Sequence, residues 1–353
     1  MKVDQDNQLE PCQGPALTVD CMAHKLSGMP EPPRIFRGII KPSLGCFFGP
    51  AKSGKTTIVE NLAFSIASGQ KTFFGEEINT ENRKVFNVGL EEYCRSRNAR
   101  NIRQMDAFDK LYSPEPGWRD NVFVVDDLFP RYLITEEHWD LLDAEITRIK
   151  PALVTLDSLT RTTIDSIEDS SVSTMLMKRL RDLTHKHNIV LILIHHTQKM
   201  DDRPLTISSM AGSRVIGQEM EFMIGVNRTT QNVRYLKDVA YRFWPDDSQF
   251  VNKFSIDFNQ MIVDEGEVYE SEILSAAVSA TGLSNNEVLL QDHFHEMTGG
   301  DGSVLVKTAE LYGRLVTTGL MSRPTLHSGL KRLETAGMII KPEKGCYRLN
   351  TPS

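Results

Sequence analysis

The segment Gly49-Pro50-Ala51-Lys52-Ser53-Gly54-Lys55-Thr56, with Thr57 directly after it, matches the pattern G-x-x-x-x-G-K-S/T without a mismatch. A strand-like run, Gly45–Phe48, leads into it, and Thr56–Ser68 has the apolar spacing of a helix. In such a loop, successive backbone N–H groups turn inward around phosphates, and the helix start adds partial positive charge. The segment therefore predicts a P-loop site for Mg-ATP, with Lys55 on the β- and γ-phosphates and Thr56 on Mg²⁺.

Strand-like and helical patterns alternate on both sides of this segment. Strands in this order, separated by helices, form βαβ units, so we predict an α/β fold with a mainly parallel sheet. The further predicted strands are Val85–Leu90, Val122–Val125, Ala152–Leu156, Ile189–Ile194 and Glu221–Val226, and the further predicted helices are Thr135–Ile149 and Ser170–His187. A β-meander of Val233–Leu236, Ala240–Trp244 and Phe254–Phe258 is expected to close the sheet.

Composition narrows the class of protein. No apolar run approaches the roughly 20 residues that span a bilayer, and the N-terminus lacks the pattern of a signal peptide. The five cysteines are scattered and none has C-x-x-C spacing, which argues against a disulfide framework and a zinc site. A reducing, cytoplasmic setting is therefore expected. The net charge of −7 neither supports nor excludes binding to nucleic acid.

Four regions are predicted along the chain. Residues 1–33 are polar and rich in proline, and we expect a flexible leader or an arm that binds a partner. Residues 34–262 form the α/β core, and residues 263–283 are acidic and then rich in alanine and serine, which favours a linker. Residues 284–353 read as helix, helix, turn, helix and hairpin, which is the plan of a winged helix.

The third helix of this C-terminal unit, Arg323–Ala336, is the candidate DNA-reading element. Leu326, Leu330 and Leu333 fall on one face and predict its core contact. Its other faces could enter a major groove, although a winged helix that binds protein is the alternative. The candidate DNA contacts are Arg323, Thr325, His327, Ser328, Lys331 and Arg332 on the helix and Lys344 on the wing.

Acidic residues follow three of the predicted strands. Asp157 ends the strand Leu153–Leu156 and is the first candidate for holding Mg²⁺, because ligands bind at the carboxyl edge of such sheets. Asp126 and Asp127 end another strand and are the rival candidates. Hydrolysis needs a group that orients water, and Glu91, in the pair Glu91-Glu92, is the candidate general base. A solvated acidic strand end is the alternative for each of them.

Two histidines end the strongest apolar strand. Because side chains alternate along a strand, His195 and His196 should point to opposite faces, so that only one faces the nucleotide. One of them could hydrogen-bond the γ-phosphate and report its loss. A neutral histidine packed at the sheet edge is the alternative.

The order of these elements resembles the RecA-like ATPases of the replicative-helicase type, and it is most similar to the plasmid RepA-type hexameric helicases. The resemblance covers Arg34–Phe258 and includes the lead-in Gly38–Gly45. It implies an ATPase with Glu91 as general base, Asp157 as metal-coordinating acid and His196 as phosphate sensor. It also implies a homo-oligomeric ring around single-stranded DNA, with Lys199 and Arg203 in the DNA-contacting loop Gln198–Met210.

The chain departs from this family at one position. Such helicases present a Lys-x-Arg pair to the neighbouring subunit, and the matching stretch here is Lys237-Asp238-Val239. Arg234 or Arg242 could substitute for the missing arginine. We therefore expect a DNA-dependent ATPase of helicase type, in replication or mobile-element maintenance. The alternatives are a recombination or regulatory ATPase that does not unwind DNA, and a DNA-binding regulator switched by ATP.

Overall fold

The computed structural model of the protein describes residues 17–197, 202–243, 249–279 and 285–350. None of the helices within these ranges combines the length and the apolar character that a bilayer crossing needs.

The described helices are α1 (Val19–Ser27), α2 (Lys55–Ser68), α3 (Cys94–Tyr112), α4 (Glu136–Ile149), α5 (Ser170–His187), α6 (Arg214–Gln218), α7 (Glu270–Ser279), α8 (Asn285–Thr298), α9 (Thr308–Leu311, continued by the π-helical turn Tyr312–Val316) and α10 (Arg323–Thr335). The described strands are β1 (Arg34–Phe36), β2 (Ile39–Ile40), β3 (Ser43–Gly49), β4 (Thr72–Phe73), β5 (Glu76–Glu77), β6 (Val85–Gly89), β7 (Val122–Val124), β8 (Leu153–Asp157), β9 (Val190–His196), β10 (Phe222–Arg228), β11 (Arg234–Tyr241), β12 (Phe250–Ile256), β13 (Ile262–Tyr269), β14 (Val306–Lys307), β15 (Ile339–Glu343) and β16 (Cys346–Leu349).

A nine-stranded sheet forms the centre of the molecule, in the order β13-β12-β11-β10-β3-β9-β8-β6-β7. The six strands from β10 to β7 are parallel, and β11, β12 and β13 extend the sheet in antiparallel fashion. The predicted α/β class with a mainly parallel sheet is confirmed. All the parallel strands end at one edge of the sheet, which we call the carboxyl edge.

Apolar residues fill both faces of the sheet. On one face, Ile58 and Leu62 of α2 pack with Phe254 of β12, and on the other, residues of α4 and α5 pack against Leu191 and Leu193 of β9. Because β9 is covered on both sides, its run of Val, Leu and Ile is buried throughout.

Helix α3 is absent from the sequence prediction, although its 19 residues make it longer than any predicted helix. Its buried positions are mostly polar: Arg97, Asn101 and Gln104 face inward together with Met105 and Phe108. A helix whose inner face is polar gives no clear apolar period, which is why the pattern was missed.

The region after β10 also differs from the prediction. One strand, β11, covers most of Val233–Leu236 and the start of Ala240–Trp244, with an irregularity in its pairing at Met223–Ile224 of β10. Trp244 lies outside the described residues. The predicted linker 263–283 begins inside the sheet, because β13 pairs with β12 along its length and α7 follows directly. Acidic, exposed side chains on this edge strand produced the linker-like composition.

One expectation about the N-terminal region needs correction. The predicted leader contains α1, whose Thr18 side chain caps the backbone N–H of Cys21. The argument against disulfides is wrong for Cys21, which is disulfide-bonded, whereas Cys46, Cys94 and Cys346 are free thiols. The reducing, cytoplasmic setting that rested on the cysteine pattern stays a prediction.

Glu270, the first residue of α7, is buried in the core. Its carboxylate pairs with the ammonium of Lys237 and accepts hydrogen bonds from the hydroxyl of Tyr235 at 2.9 Å and the backbone N–H of Leu205 at 3.3 Å. One side chain therefore connects α7, β11 and the segment that follows β9.

The C-terminal residues form a second core of their own. Helices α8 and α10 pack around Leu290, Phe294 and Leu330, and the strands β14, β16 and β15 form a small antiparallel sheet beside them. As predicted from their spacing, Leu326, Leu330 and Leu333 of α10 are buried here.

We predict that Glu270→Ala destabilises the core by about 3–5 kcal/mol, because the Lys237 ammonium would stay buried without its partner. Urea denaturation followed by tryptophan fluorescence measures this loss as a lower midpoint. The matched control is Glu267→Ala on the exposed side of β13, which should change the midpoint little. Equal midpoints for both variants would show that the Lys237–Glu270 pair does not hold the core.

Candidate nucleotide site

The phosphate loop begins where β3 comes closest to β10. A methyl group on Gly49 would lie 1.9 Å from the carbonyl oxygen of Val226, so only glycine fits at this position. Lys52 and Gly54 have positive φ angles of 62° and 106°, which turn the backbone around the space between β3 and α2. Helix α2 then begins at Lys55, with its free N–H groups facing this space.

Lys55 lies in the floor of the loop and is buried. Its ammonium donates to the carbonyl oxygens of Gly49 at 3.0 Å and Pro50 at 2.8 Å. Burial lowers the pKa of Lys55 to about 8, and the carboxylates of Asp157 and Glu91 act against this shift. The side chain therefore lies where an anionic phosphate would restore its charge.

Thr56 and Asp157 make the second part of the site. The Thr56 hydroxyl donates to Asp157 Oδ2 at 2.7 Å, while Asp157 Oδ1 is buried without a hydrogen-bond partner among the described residues. Burial raises the pKa of the Asp157 carboxyl, and Arg97 and Thr56 act against the shift. A hydroxyl and a carboxylate with an open oxygen are ligands that suit Mg²⁺, so these residues fit the metal.

The rival acids lie elsewhere. Asp126 and Asp127 follow β7, the edge strand, which β6 separates from β8. Both side chains are exposed, and Asp126 Oδ1 accepts a hydrogen bond from the backbone N–H of Leu128 at 2.8 Å. Among the candidates, only Asp157 contacts the phosphate loop.

The two glutamates after β6 have different partners. Glu91 Oε1 lies 3.6 Å from His196 Nε2, and both side chains are partly exposed, at 40% and 35%. Glu92 instead pairs with Arg100 at 2.7 Å. The carboxylate that remains open toward the site is therefore Glu91, beside the predicted sensor His196.

The two histidines point to opposite sides, as their alternation requires. His195 is fully buried, and its Nε2–H donates to the carbonyl oxygen of Ala211 at 2.8 Å. Burial lowers the pKa of His195 to about 4, so this ring is neutral. His196 is the one that reaches the carboxyl edge.

Lys237 is the first of the residues proposed to act on a neighbouring subunit. Its side chain is not exposed at the surface, as that role would require. It is buried against Glu270 and could reach another molecule only after this pair breaks. Arg242 is exposed, but its guanidinium donates to the backbone carbonyl of Gln218 at 2.8 Å.

Arg234 is the best placed of these candidates. It begins β11 opposite Arg228, the last residue of β10, and therefore lies at the carboxyl edge. Its Nε is buried without a hydrogen-bond partner among the described residues. Burial and the neighbouring Arg228 charge lower the pKa of Arg234.

The loop predicted to contact DNA is partly described. Lys199 lies outside the described residues, and Arg203 is exposed. Asp202 accepts hydrogen bonds from Thr230 in the turn between β10 and β11, one of them 2.9 Å from its backbone N–H. Together with the Glu270 contact at Leu205, this bond anchors the loop on the core.

The candidate DNA contacts of the C-terminal unit differ in their exposure. Most are exposed, whereas Thr325 bonds the Ser322 cap at 2.6 Å and Arg332 pairs with Glu287 at 3.1 Å. Thr325 and Arg332 are therefore partly engaged within the unit. Ser328 is exposed but donates to the carbonyl oxygen of Thr325 at 3.0 Å, and the exposed Arg323 lies over the Tyr312 ring at 6.0 Å. His327, Lys331 and Lys344 are exposed as well.

One group of residues at the site was not predicted at all. Arg97 and Arg100 of α3 converge on Glu60 of α2, at 3.1 Å and 2.9 Å. Arg97 lies six residues after Glu91, and the sequence does not indicate that it is near the site unless α3 is first recognised as a helix. The Glu60 position, inside the helix after the phosphate loop, reads as an ordinary helical residue.

Comparison with known proteins agrees with this geometry. A family profile described as AAA domain matches residues 14–202, which is more than half of the chain. The chain belongs to the AAA domain family. The matched region of this AAA domain contains the phosphate loop, Glu91, Asp157 and His196, and the family match supports an ATPase.

Other comparisons add less. Among solved structures, the AAA domain is similar to a KaiC-like protein from the hyperthermophilic archaeon Pyrococcus horikoshii OT3, with 14% sequence identity and a TM-score of 0.44, over 64% of this chain and 91% of that chain. Similarity at this level says nothing about what the AAA domain acts on. No curated protein matches the chain.

We predict that nucleotide affinity falls as the pH rises through about 8. Below that pH, Lys55 is already charged in the empty site, and above it, binding must add a proton, so affinity should fall by up to about tenfold per pH unit. Fluorescent-ADP titrations between pH 7 and 9.5 measure this slope. Lys55→Met should bind weakly and without the slope, and an unchanged slope in that variant would assign the proton to another group.

We predict that Glu91→Gln lowers kcat about 10²–10⁴-fold with little change in nucleotide affinity, because the general base is lost and the phosphate contacts remain. Glu92→Gln is the matched control, since Glu92 pairs with Arg100 and should retain most of the turnover. The reverse result would make Glu92 the base.

Proposed function

We propose that the protein hydrolyses Mg-ATP at the carboxyl edge of its central sheet. One observation carries this proposal: Glu91 lies 3.6 Å from His196 and close enough to Lys55 for its charge to act on the Lys55 pKa, while Thr56 donates to Asp157 at 2.7 Å. A water-orienting carboxylate, a phosphate-sensing imidazole and a metal-holding pair are the groups that phosphoryl transfer to water requires.

Each group at the carboxyl edge has its own role in this hydrolysis. The loop N–H groups and Lys55 bind and orient the β- and γ-phosphates, and Thr56 and Asp157 would hold the Mg²⁺ that neutralises charge on the phosphates. Glu91 accepts a proton from the attacking water. His196, within 3.6 Å of Glu91, donates to the γ-phosphate and loses this bond when the phosphate leaves.

We further propose that this ATPase acts on DNA, as a RepA-like helicase or helicase-like enzyme in replication or mobile-element maintenance. The order of its motifs supports this, as does a C-terminal unit arranged like a winged helix, with exposed Arg323, His327 and Lys331 on α10. Single-stranded DNA would contact the loop after β9, and duplex DNA would contact α10.

The position of Arg234 at the carboxyl edge supports a homo-oligomer in which one subunit completes the site of the next. Arg234 lies at the carboxyl edge, and its Nε has no hydrogen-bond partner among the described residues, so a neighbour's phosphates could supply one. A hexameric ring is the form that the resemblance favours.

A specific observation favours a second candidate, a slow ATP-driven switch. Lys237 is held by Glu270, and Val239 is buried at the position where related helicases carry an arginine. Without a trans-acting arginine, a rate factor of about 10³–10⁵ is lost. Such a protein would use ATP to change state and would not translocate.

ATP hydrolysis with and without single-stranded DNA tests these proposals, with Lys55→Ala as the control that removes the phosphate contact. For a translocating ATPase we expect stimulation by single-stranded DNA and strand displacement that requires ATP. Arg234→Ala should then lower the stimulated rate, whereas Arg203→Ala should weaken DNA binding first.

Slow turnover that ignores DNA would support the switch instead. A regulator of this kind should bind one duplex sequence through α10 more tightly than scrambled duplexes. Turnover that survives Lys55→Ala would refute the assignment of the phosphate site itself.

A further inference from the structure

Arg97 is the most buried arginine near the nucleotide site, with 3% of its side chain exposed. Its Nε donates to Glu60 Oε1 at 3.1 Å, and Glu60 is equally buried, on the helix that begins at the phosphate loop. The pair therefore joins α3, which follows Glu91 and Glu92, to α2, which carries Lys55 and Thr56.

The guanidinium lies directly under the end of β6. A methyl group on Gly89 would come within 1.5 Å of Arg97 Nη1, so Gly89 leaves the space that Arg97 fills. Gly89 pairs with Asp157 in the sheet, and the backbone N–H groups of Leu90 and Glu91 donate to the Asp157 carbonyl at 2.6 Å and 3.2 Å. Arg97 thus supports the strand end from which both acids of the site project.

Three polar atoms around this position are buried without a hydrogen-bond partner among the described residues: Arg97 Nη1, Glu60 Oε2 and Asp157 Oδ1. A pair whose only role was to join two helices would leave no open donor and acceptor beside the metal-holding acid. Each unsatisfied buried group in a folded protein requires an explanation, and a role at a functional site is one.

The charges around Arg97 also support a role beyond joining the two helices. Glu60, Asp157 and Glu91 are three carboxylates close to the loop, and Arg100 is already shared between Glu60 and Glu92. Arg97 is the one arginine that contacts Glu60 from beneath Gly89. Its charge opposes the mutual repulsion of the acids at the place where the metal and the attacking water must be held.

We propose that Arg97, held by Glu60, is a positioning residue for nucleotide hydrolysis, which keeps Glu91 and Asp157 at a fixed distance from the phosphate loop. This rests on the proposed function, since it assigns a role within that site. Residues that orient the groups around a metal typically cost 10–100-fold in activity or metal affinity when they are changed.

A double substitution separates this role from a structural one. Replacing a buried ion pair by apolar residues of similar size is often neutral for stability, so Glu60→Leu with Arg97→Met should fold. Arg95→Met, on the exposed side of α3, is the matched control. Melting temperature, fluorescent-ADP affinity with and without Mg²⁺, and kcat are measured on each variant.

We expect the double variant to melt near the wild-type temperature and to bind fluorescent ADP normally in EDTA. Its kcat should fall about 10–100-fold, and the tightening of ADP binding by Mg²⁺ should be reduced, while Arg95→Met changes neither. Wild-type kcat together with the wild-type Mg²⁺ effect in the double variant would overturn the proposal.

Two further outcomes are covered by this design. If the double variant does not fold, Gly89→Ala displaces the Arg97 guanidinium while both charged residues stay in the chain, and the same losses are expected of it. If the wild-type protein binds ADP with Mg²⁺ and yet shows no hydrolysis, the proposed function fails, and the Mg²⁺ effect on ADP binding alone decides the role of Arg97.

Discussion

The approach of β3 to β10 at Gly49 governs the geometry of the nucleotide edge. The Gly49 Cα lies so close to the carbonyl of Val226 that no side chain fits, and the chain must leave the sheet there. The Gly49 carbonyl then accepts hydrogen bonds from Lys55 and from the backbone N–H of Thr197 at 3.1 Å. A single peptide thus aligns the phosphate loop with the end of β9, which carries His196.

Two buried ion pairs extend this arrangement to distant parts of the chain. Glu60 and Arg97 join the helix after the loop to the helix after Glu92, and Lys237 and Glu270 join β11 to the start of α7. Buried pairs of this kind add little net stability, because removing charges from water opposes their attraction. Their contribution here is geometric, since each pair specifies which elements meet and at what distance.

Much of this was readable from the sequence, for a physical reason. The phosphate loop has a fixed spacing, and the parallel strands are long apolar runs, so the loop, Asp157, Glu91 and His196 could all be assigned to one edge. Helix α3 could not be found in this way, because Arg97, Asn101 and Gln104 give its inner face the composition of an outer one. The Lys237–Glu270 pair could not be predicted either, because the sequence does not indicate that two charged residues 33 positions apart are in contact.

The position of Glu270 has a mechanical consequence. Tension applied to the chain beyond α7 would reach Glu270 before it reaches any strand of the central sheet, because β13 precedes Glu270 in the chain. The first contacts under load would be those with Lys237 and Leu205, which join α7 to β11 and to the segment that follows β9. A pull on the chain beyond α7 would therefore be transmitted through Glu270 into the core of the sheet.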